Sequence, residues 1–223
     1  MEGDLIVRNA LIDMYGKCGG IESVRGLFGL MRDKDLHSWT AMISGLASHG
    51  QGKEAVALFL SMWEEGVLPD STTLIVVLSA CSHAGLVDEG IHIFNSMESE
   101  YSVSPDIKHY GCMVDLFSRA GLISRAYEFI STMPFEPNLA ILGALLSACS
   151  INNELEIGEV VLNKIESVCS YKGGSDVLLS NIYANQNLWH EVDAIRKKIR
   201  NETIARKPPG QSSIAVEIPF TRL

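Results

Sequence analysis

"LSACSHAGLVDEG", Leu78 to Gly90, is echoed by "LSACSINNELEIG", Leu146 to Gly158. The two stretches start 68 residues apart and share Leu-Ser-Ala-Cys-Ser, a gap with the character of a turn, then Leu, an acid and Gly. A repeated cysteine is what a metal site needs, and a repeated segment is what a stacked architecture needs. The period of the repetition decides between them.

Sliding the chain over itself brings out further copies. Met31, Met62, Met97 and Met133 stand 31, 35 and 36 residues apart, and Gly19, Gly50, Gly85 and Gly121 follow the same steps. Asn153 and Asn187 continue the glycine series at 32 and 34. Gly and Asn are the residues that tolerate the left-handed conformation demanded by a tight turn between two helices. An apolar pattern of helical period precedes each turn, as in "NALIDMYGKCG", "TAMISGLASHG", "IVVLSACSHAG" and "GALLSACSINN". A second amphipathic stretch follows it, as in "KEAVALFLSMW" and "VDEGIHIFNSM", with Ala or Gly where two helices must approach closely. Pro69, Pro105 and Pro137, each followed by Asp or Asn, are expected to stop the second helix and turn the chain into the next unit.

This places the duplicate two periods on, in a solenoid of helix–turn–helix pairs. The units are 5–35, 36–70, 71–106, 107–138, 139–172 and 173–207, with 208–223 as a tail; "KPPGQSS" cannot be helical throughout. Each unit exposes an apolar face that only its neighbours cover.

Composition narrows the function classes. Of 223 residues, 47% are apolar and 20% charged, the balance of an ordinary globular chain. No apolar run approaches the roughly 20 residues that span a bilayer, so no membrane partner is expected. The opening "MEGDLIVRNALIDMYG" is acidic and lacks the parts of a signal peptide; it reads as the interior of a longer chain. A net charge of −9 is unlike a generic polyanion binder. Residues 5–138 carry 9 Lys+Arg against 16 Asp+Glu, a net of −7, whereas residues 139–223 carry 9 of each. Positive charge gathers at Arg196, Lys197, Lys198, Arg200, Arg206 and Lys207, read as a solvated helix face running into a basic tail or as a phosphate or partner contact. Cys18, Cys81, Cys112, Cys149 and Cys169 make an odd set without a CxxC pair. Small packing residues in a reducing compartment are expected, with no metal and no cofactor.

The tetratricopeptide signature is missing. The units, including "SWTAMISGLASHGQGKEAVALF", "HYGCMVDLFSRAG", "MPFEPN" and "VLLSNIYA", closely resemble plant pentatricopeptide repeats of the PLS subclass. The resemblance implies an all-α protein, a right-handed α-solenoid of helix–turn–helix repeats. Units of 31, 35, 36 and 32 residues match its S, P, L and S types in order. Residues 139–172 and 173–217 are similar to the two degenerate repeats of the family's E domain.

In that subclass most members direct C-to-U editing of organellar transcripts, each repeat reading one base of single-stranded RNA. The fifth and the last residue of a repeat select the base. Carried over, Asn9 with Asp35 matches the uridine-preferring pair, and Thr40 with Asp70 the guanosine-preferring pair. Ile75 with Asp106 and Gly111 with Asn138 fill the same places, although Ile and Gly bring no side-chain hydrogen bond. The second place, aliphatic in the family and stacked on bases, is Ile6, His37, Thr72 and Lys108. Reading runs 5′ to 3′ along the repeats, so U followed by G is the expected pair.

Catalysis is not expected of this chain. Nucleobase deaminases need HxE and PCxxC segments for zinc and proton transfer, and neither occurs; "WHEV" at Trp189–Val192 has the wrong spacing. The chain ends at Leu223, before a deaminase domain, so the chemistry is expected in trans, from a deaminase-domain protein or editing accessory factor docked on the E domain. That domain ends in "GQSSIAVE", without the Cys and Trp usual in the family. Asp115 and His109 read as a chance pairing. The resemblance implies the mitochondrion or the chloroplast, the former slightly ahead. A protein-interaction scaffold with little RNA binding of its own is the alternative, favoured by the acidic balance.

Overall fold

The computed structural model describes residues 2–168 and 173–206. Twelve helices occupy them: α1 (Glu2–Lys17), α2 (Ile21–Gly29), α3 (Leu36–Ser48), α4 (Gly52–Glu64), α5 (Ser71–Ala84), α6 (Val87–Ser99), α7 (Ile107–Arg119), α8 (Ile123–Ser131), α9 (Leu139–Asn152), α10 (Leu155–Val168), α11 (Gly173–Asn185) and α12 (Trp189–Arg206). Among the described residues there is no strand, and no helix is long and apolar enough to cross a membrane.

Odd-numbered helices form one continuous layer. Each packs on the next, α1 on α3 through α9 on α11, while α2, α4, α6, α8 and α10 each rest on their own partner and on the first helix of the following unit, and α12 rests on α11. Such a chain is a solenoid: every contact is with a neighbour, and the core runs unbroken along the stack. Ile12, Ile43, Leu46, Leu74, Leu78, Met113, Leu116 and Leu145 supply its odd-layer half, and Phe59, Met62, Ile93, Met97 and Ile123 close it from the even layer.

The turns are built as the spacing predicts. Gly19, Gly50, Gly85 and Gly121 have φ of 90°, 74°, 68° and 73°, and Asn153 and Asn187 follow at 59° and 61°. Gly85 caps α5 in the left-handed conformation, its N–H reaching back to the Ser82 carbonyl, and a β-carbon there would be strained.

The duplicated segment is a packing device. Cys81 and Cys149 are fully buried on α5 and α9, and the glycine that ends each copy sits against its own cysteine. A methyl group added at Gly90 would lie 3.4 Å from Cys81 Cβ; one at Gly158 would lie 3.5 Å from Cys149 Cβ and 2.9 Å from Ile182 Cδ1. Burial pushes both thiols up, to about 12 for Cys81 and about 11 for Cys149, which keeps them unreactive. Half-buried Cys112 is likewise raised to about 11. Cys18 departs from the expectation and is exposed, because it precedes the Gly19 turn rather than facing the core. Cys169, Lys207, "KPPGQSS" and the tail lie outside the described residues.

The prolines also differ from expectation. Helices α4, α6 and α8 end at Glu64, Ser99 and Ser131, several residues before Pro69, Pro105 and Pro137. Gly66 at φ 79° and Ser102 at φ 57° turn the chain after α4 and α6. Each proline instead stands immediately before the residue that caps the next odd helix.

Candidate functional site

Asp35, Asp70, Asp106 and Asn138 occupy one structural position: each is the N-cap of an odd helix, with extended backbone. Their side-chain oxygens accept the N–H of the third helical residue, from Ser38 at 2.8 Å, Thr73 at 2.8 Å, His109 at 3.2 Å and Ile141 at 3.0 Å. The local sequences "DLHS", "DSTT", "DIKH" and "NLAI" dictate this, since Asp and Asn are strong caps and a polar third residue can close the box. Ser38 and His109 do so, receiving the N–H of Asp35 and Asp106.

Because odd helices stack side by side, the first two caps meet the fifth residue of their own unit, directly or through one side chain. Asn9 Nδ2 donates to Asp35 Oδ1 at 3.1 Å, and Ser38 Oγ lies 2.7 Å from Asn9 Oδ1 and 2.8 Å from Asp35 Oδ1. Thr40 and Asp70 are joined through a third group: Thr73 Oγ1 stands 2.7 Å from Thr40 Oγ1 and 2.8 Å from Asp70 Oδ1. At the next joint His109 is fully buried, with Nδ1 2.7 Å from Asp106 Oδ1 and Nε2 3.1 Å from the Ser71 carbonyl. Ile75 takes part only through its backbone carbonyl, which faces the Cys112 thiol at 3.8 Å. Gly111 packs on Ile141, whose Cγ1 would be 3.6 Å from a β-carbon there. The structure thus brings Asn9 to Asp35 directly and Thr40 to Asp70 by a bridge. It leaves Asp106 and Asn138 occupied in capping their own helices.

Electrostatics follow the geometry. Burial pushes the Asp35 carboxyl up, but the N–H and hydroxyl of Ser38, the Asn9 amide and nearby His37 outweigh it and hold Asp35 below the usual carboxylate range. Asp106 is lowered in the same way: burial opposes, and the His109 and Lys108 amides together with the His109 ring prevail. At the second place Ile6 is 70% exposed, and His37, Thr72 and Lys108 are exposed as well. An open apolar side chain beside a hydrogen-bonding pair is a surface on which a planar ring can rest while its edge is read.

The bridging residues Ser38 and Thr73, and His109 at the third joint, were missed by the sequence reading. Their signal was the spacing of the cap, an Asp with a polar residue three places on. Asp115 and His109 do not pair: Asp115 accepts from Ser82 Oγ at 2.6 Å and Arg119 Nε at 2.9 Å. Of the basic residues near the C-terminus, Lys198 reaches buried Asp176 at 3.3 Å and Arg196 reaches Ser180 at 3.2 Å, so part of that charge ties α12 to α11. Among the described residues no group of three or more His, Cys, Asp or Glu is arranged to hold a metal ion.

Comparison with known proteins matches the PPR repeat model to residues 6–36, 72–101 and 108–135, a PPR repeat family model to 34–83, and the E motif model to 152–215. A putative chloroplastic pentatricopeptide repeat-containing protein of Arabidopsis thaliana is 46% identical over 217 residues, or 97% of this chain and 40% of that protein. The chain therefore spans about two fifths of that relative's length. Among solved structures, the maize pentatricopeptide repeat protein PPR10 superposes with a TM-score of 0.71 at 19% identity, covering 88% of this chain and 29% of that one. PPR10 in complex with an 18-nt psaJ RNA element gives 0.59, again at 19% identity, over 88% and 28%.

Proposed function

This chain belongs to the pentatricopeptide repeat family and carries an E motif, and from that premise we propose that it recognises single-stranded RNA by sequence, one base per repeat. The observation that carries the reading is the contact of Asn9 with Asp35 at 3.1 Å, beside exposed Ile6. A carboxylate held by its own helix cap and a neighbouring amide offers a fixed pattern of donor and acceptor to a Watson–Crick edge. That a PPR10 structure of the same fold contains RNA supports the class of ligand.

The finer reading is a PLS-type specificity factor for C-to-U editing in an organelle. The repeats 5–35, 36–70, 71–106 and 107–138 select the site, and the E region from residue 139 recruits a deaminase-domain protein or an accessory factor. The chain itself does no chemistry in this scheme. The chloroplastic name of the Arabidopsis relative supports an organellar setting, mitochondrion or chloroplast.

The net charge of −7 over residues 5–138 favours a second reading, a scaffold that holds a protein partner. Titration separates the two. Single-stranded RNAs carrying U-G should bind more tightly than the same RNAs with either base exchanged. Affinity is expected to be micromolar or weaker, because two legible repeats supply few contacts, each worth roughly 1–3 kcal/mol at best. Equal binding of all sequences, with a protein partner still captured by the E region, would leave the scaffold.

A further inference from the structure

We propose that Thr73, a residue outside the base-selecting pairs, sets the hydrogen-bonding polarity of the second reading position and so decides which base Thr40 and Asp70 accept. The inference rests on the RNA reading above and deepens it.

A hydroxyl has one proton to give and a carboxylate has none. Thr73 Oγ1 lies 2.8 Å from Asp70 Oδ1, so its proton goes there. Only lone pairs then remain on Thr73 Oγ1 to face Thr40 Oγ1 at 2.7 Å, and that contact has one possible direction. Thr40 donates to Thr73. With its single proton committed, Thr40 turns only lone pairs toward a ligand. Asp70 Oδ1 also receives the Thr73 N–H at 2.8 Å, while Asp70 as a residue is exposed and keeps its other oxygen for a ligand. Thr73 is fully buried, so solvent cannot take its place in the chain of protons.

The second position therefore presents two acceptors and no donor. Guanine is the base whose Watson–Crick edge carries two adjacent donors, N1–H and N2–H2. Adenine, cytosine and uracil each set an acceptor against one of the protein oxygens. The first position differs in the same terms. Asn9 brings two N–H groups, gives one to Asp35 Oδ1 and keeps the other, so a donor survives beside the carboxylate. Asn9 and Thr40 sit at equivalent places beside a hydroxyl from the following helix, and the second N–H that Asn9 keeps and Thr40 lacks leaves them with opposite polarity.

The test uses the full chain and two single-stranded RNAs that differ only in G or A after the U, with affinities read by fluorescence anisotropy. Wild type should favour G. Thr73→Val keeps the shape, removes the acceptor and frees the Thr40 proton for adenine N1. The G-over-A ratio should fall about three- to tenfold, the range a single directed hydrogen bond commands. The preference for U at the preceding nucleotide should persist, and Thr73→Ser should restore the ratio. Thr73→Ala takes the place of Thr73→Val if the latter lacks the wild-type circular dichroism. A wild type that favours G, with variants that keep its full ratio, overturns the inference and spares the RNA reading. Loss of the U and G preferences together also overturns it, in favour of a purely structural Thr73. A wild type indifferent to G and A overturns the reading itself.

Discussion

The joints from α1 to α5 and those from α5 to α9 share a backbone and differ in chemistry. All four place a capping side chain under the third residue of an odd helix. In the first two that residue is Ser38 or Thr73, whose hydroxyl reaches across to Asn9 or Thr40. In the third it is His109, which turns to the Ser71 carbonyl, and in the fourth it is Ile141, which lies against Gly111. The cap is common to every joint, whereas the bridge to the fifth residue exists at two. On the proposed reading, helix capping and base selection are separable jobs of one capping side chain, and only the first two joints carry the bridge that the second job would use.

The largest expected effect breaks the comparison if it fails. Ile141 is 4% exposed, and Ile141→Ala should cost about 2–4 kcal/mol by urea denaturation, as buried aliphatic truncations do. RNA selection should not change. Ser38→Ala should cost only about 1 kcal/mol through the lost capping box, yet erode the preference for U. Should both variants change stability and selection in the same proportion, the joints are not specialised.

The two copies of the duplicated segment sharpen the picture at the turn. Gly85 and Asn153 both end a helix in the left-handed conformation, at φ 68° and 59°. Gly85→Val should destabilise by about 1 kcal/mol or more, because a β-branched residue resists that region. Asn153→Gly should change stability by no more than a few tenths of a kcal/mol in the same urea denaturation. Comparable losses in both would mean that the Asn153 side chain carries weight beyond its backbone.

The paired loss of caps is no larger than the Gly85→Val effect. Asp70→Ala and Asn138→Ala should each remove about 1 kcal/mol of stability, the ordinary worth of an N-cap. Only Asp70→Ala should also abolish discrimination between G and A in the anisotropy titration. Selection that responds to Asn138 would extend the reading surface to the fourth joint.

Most of the architecture was legible because turns leave local marks. The Gly and Asn series gave the period, and every member of it adopts positive φ. The caps were legible as positions, but the bridges beside two of them were not. Asp35 and Asp70 stand four residues or fewer from the amides they cap, whereas the Thr40–Thr73 bridge spans 33 residues and depends on how two helices stack. The cap spacing marks Thr73, but no local pattern marks Thr40 as its partner. The role given to the prolines failed for a related reason. Helix ends were fixed by Gly66 and Ser102, and proline only biases the residue before it toward extended backbone, here at the approach to the next cap.

The smallest effect concerns acid. Asp35 and Asp106 are both held below the usual carboxylate range by the bonds that outweigh their burial. A carboxyl lowered in the folded state adds stability that is fully present above its unfolded value of about 4. That contribution fades as the pH falls from there toward the folded value. Melting temperature should hence be flat with respect to these groups from pH 7 to about pH 5 and decline below it. Asp35→Asn keeps a good cap and so changes neutral-pH stability little, but it removes one titrating group and should make the acid limb shallower. Asn138→Asp does the converse at a joint without a bridge: it installs a carboxylate that has Ile141 rather than a hydroxyl beside it. Its acid limb should steepen by less than Asp35→Asn flattens it, because a cap N–H lowers a carboxyl less than a cap N–H, a hydroxyl and an amide together. Equal and opposite slopes, measured by circular dichroism between pH 3 and 7, would show that the Ser38 and Asn9 bonds contribute nothing beyond capping.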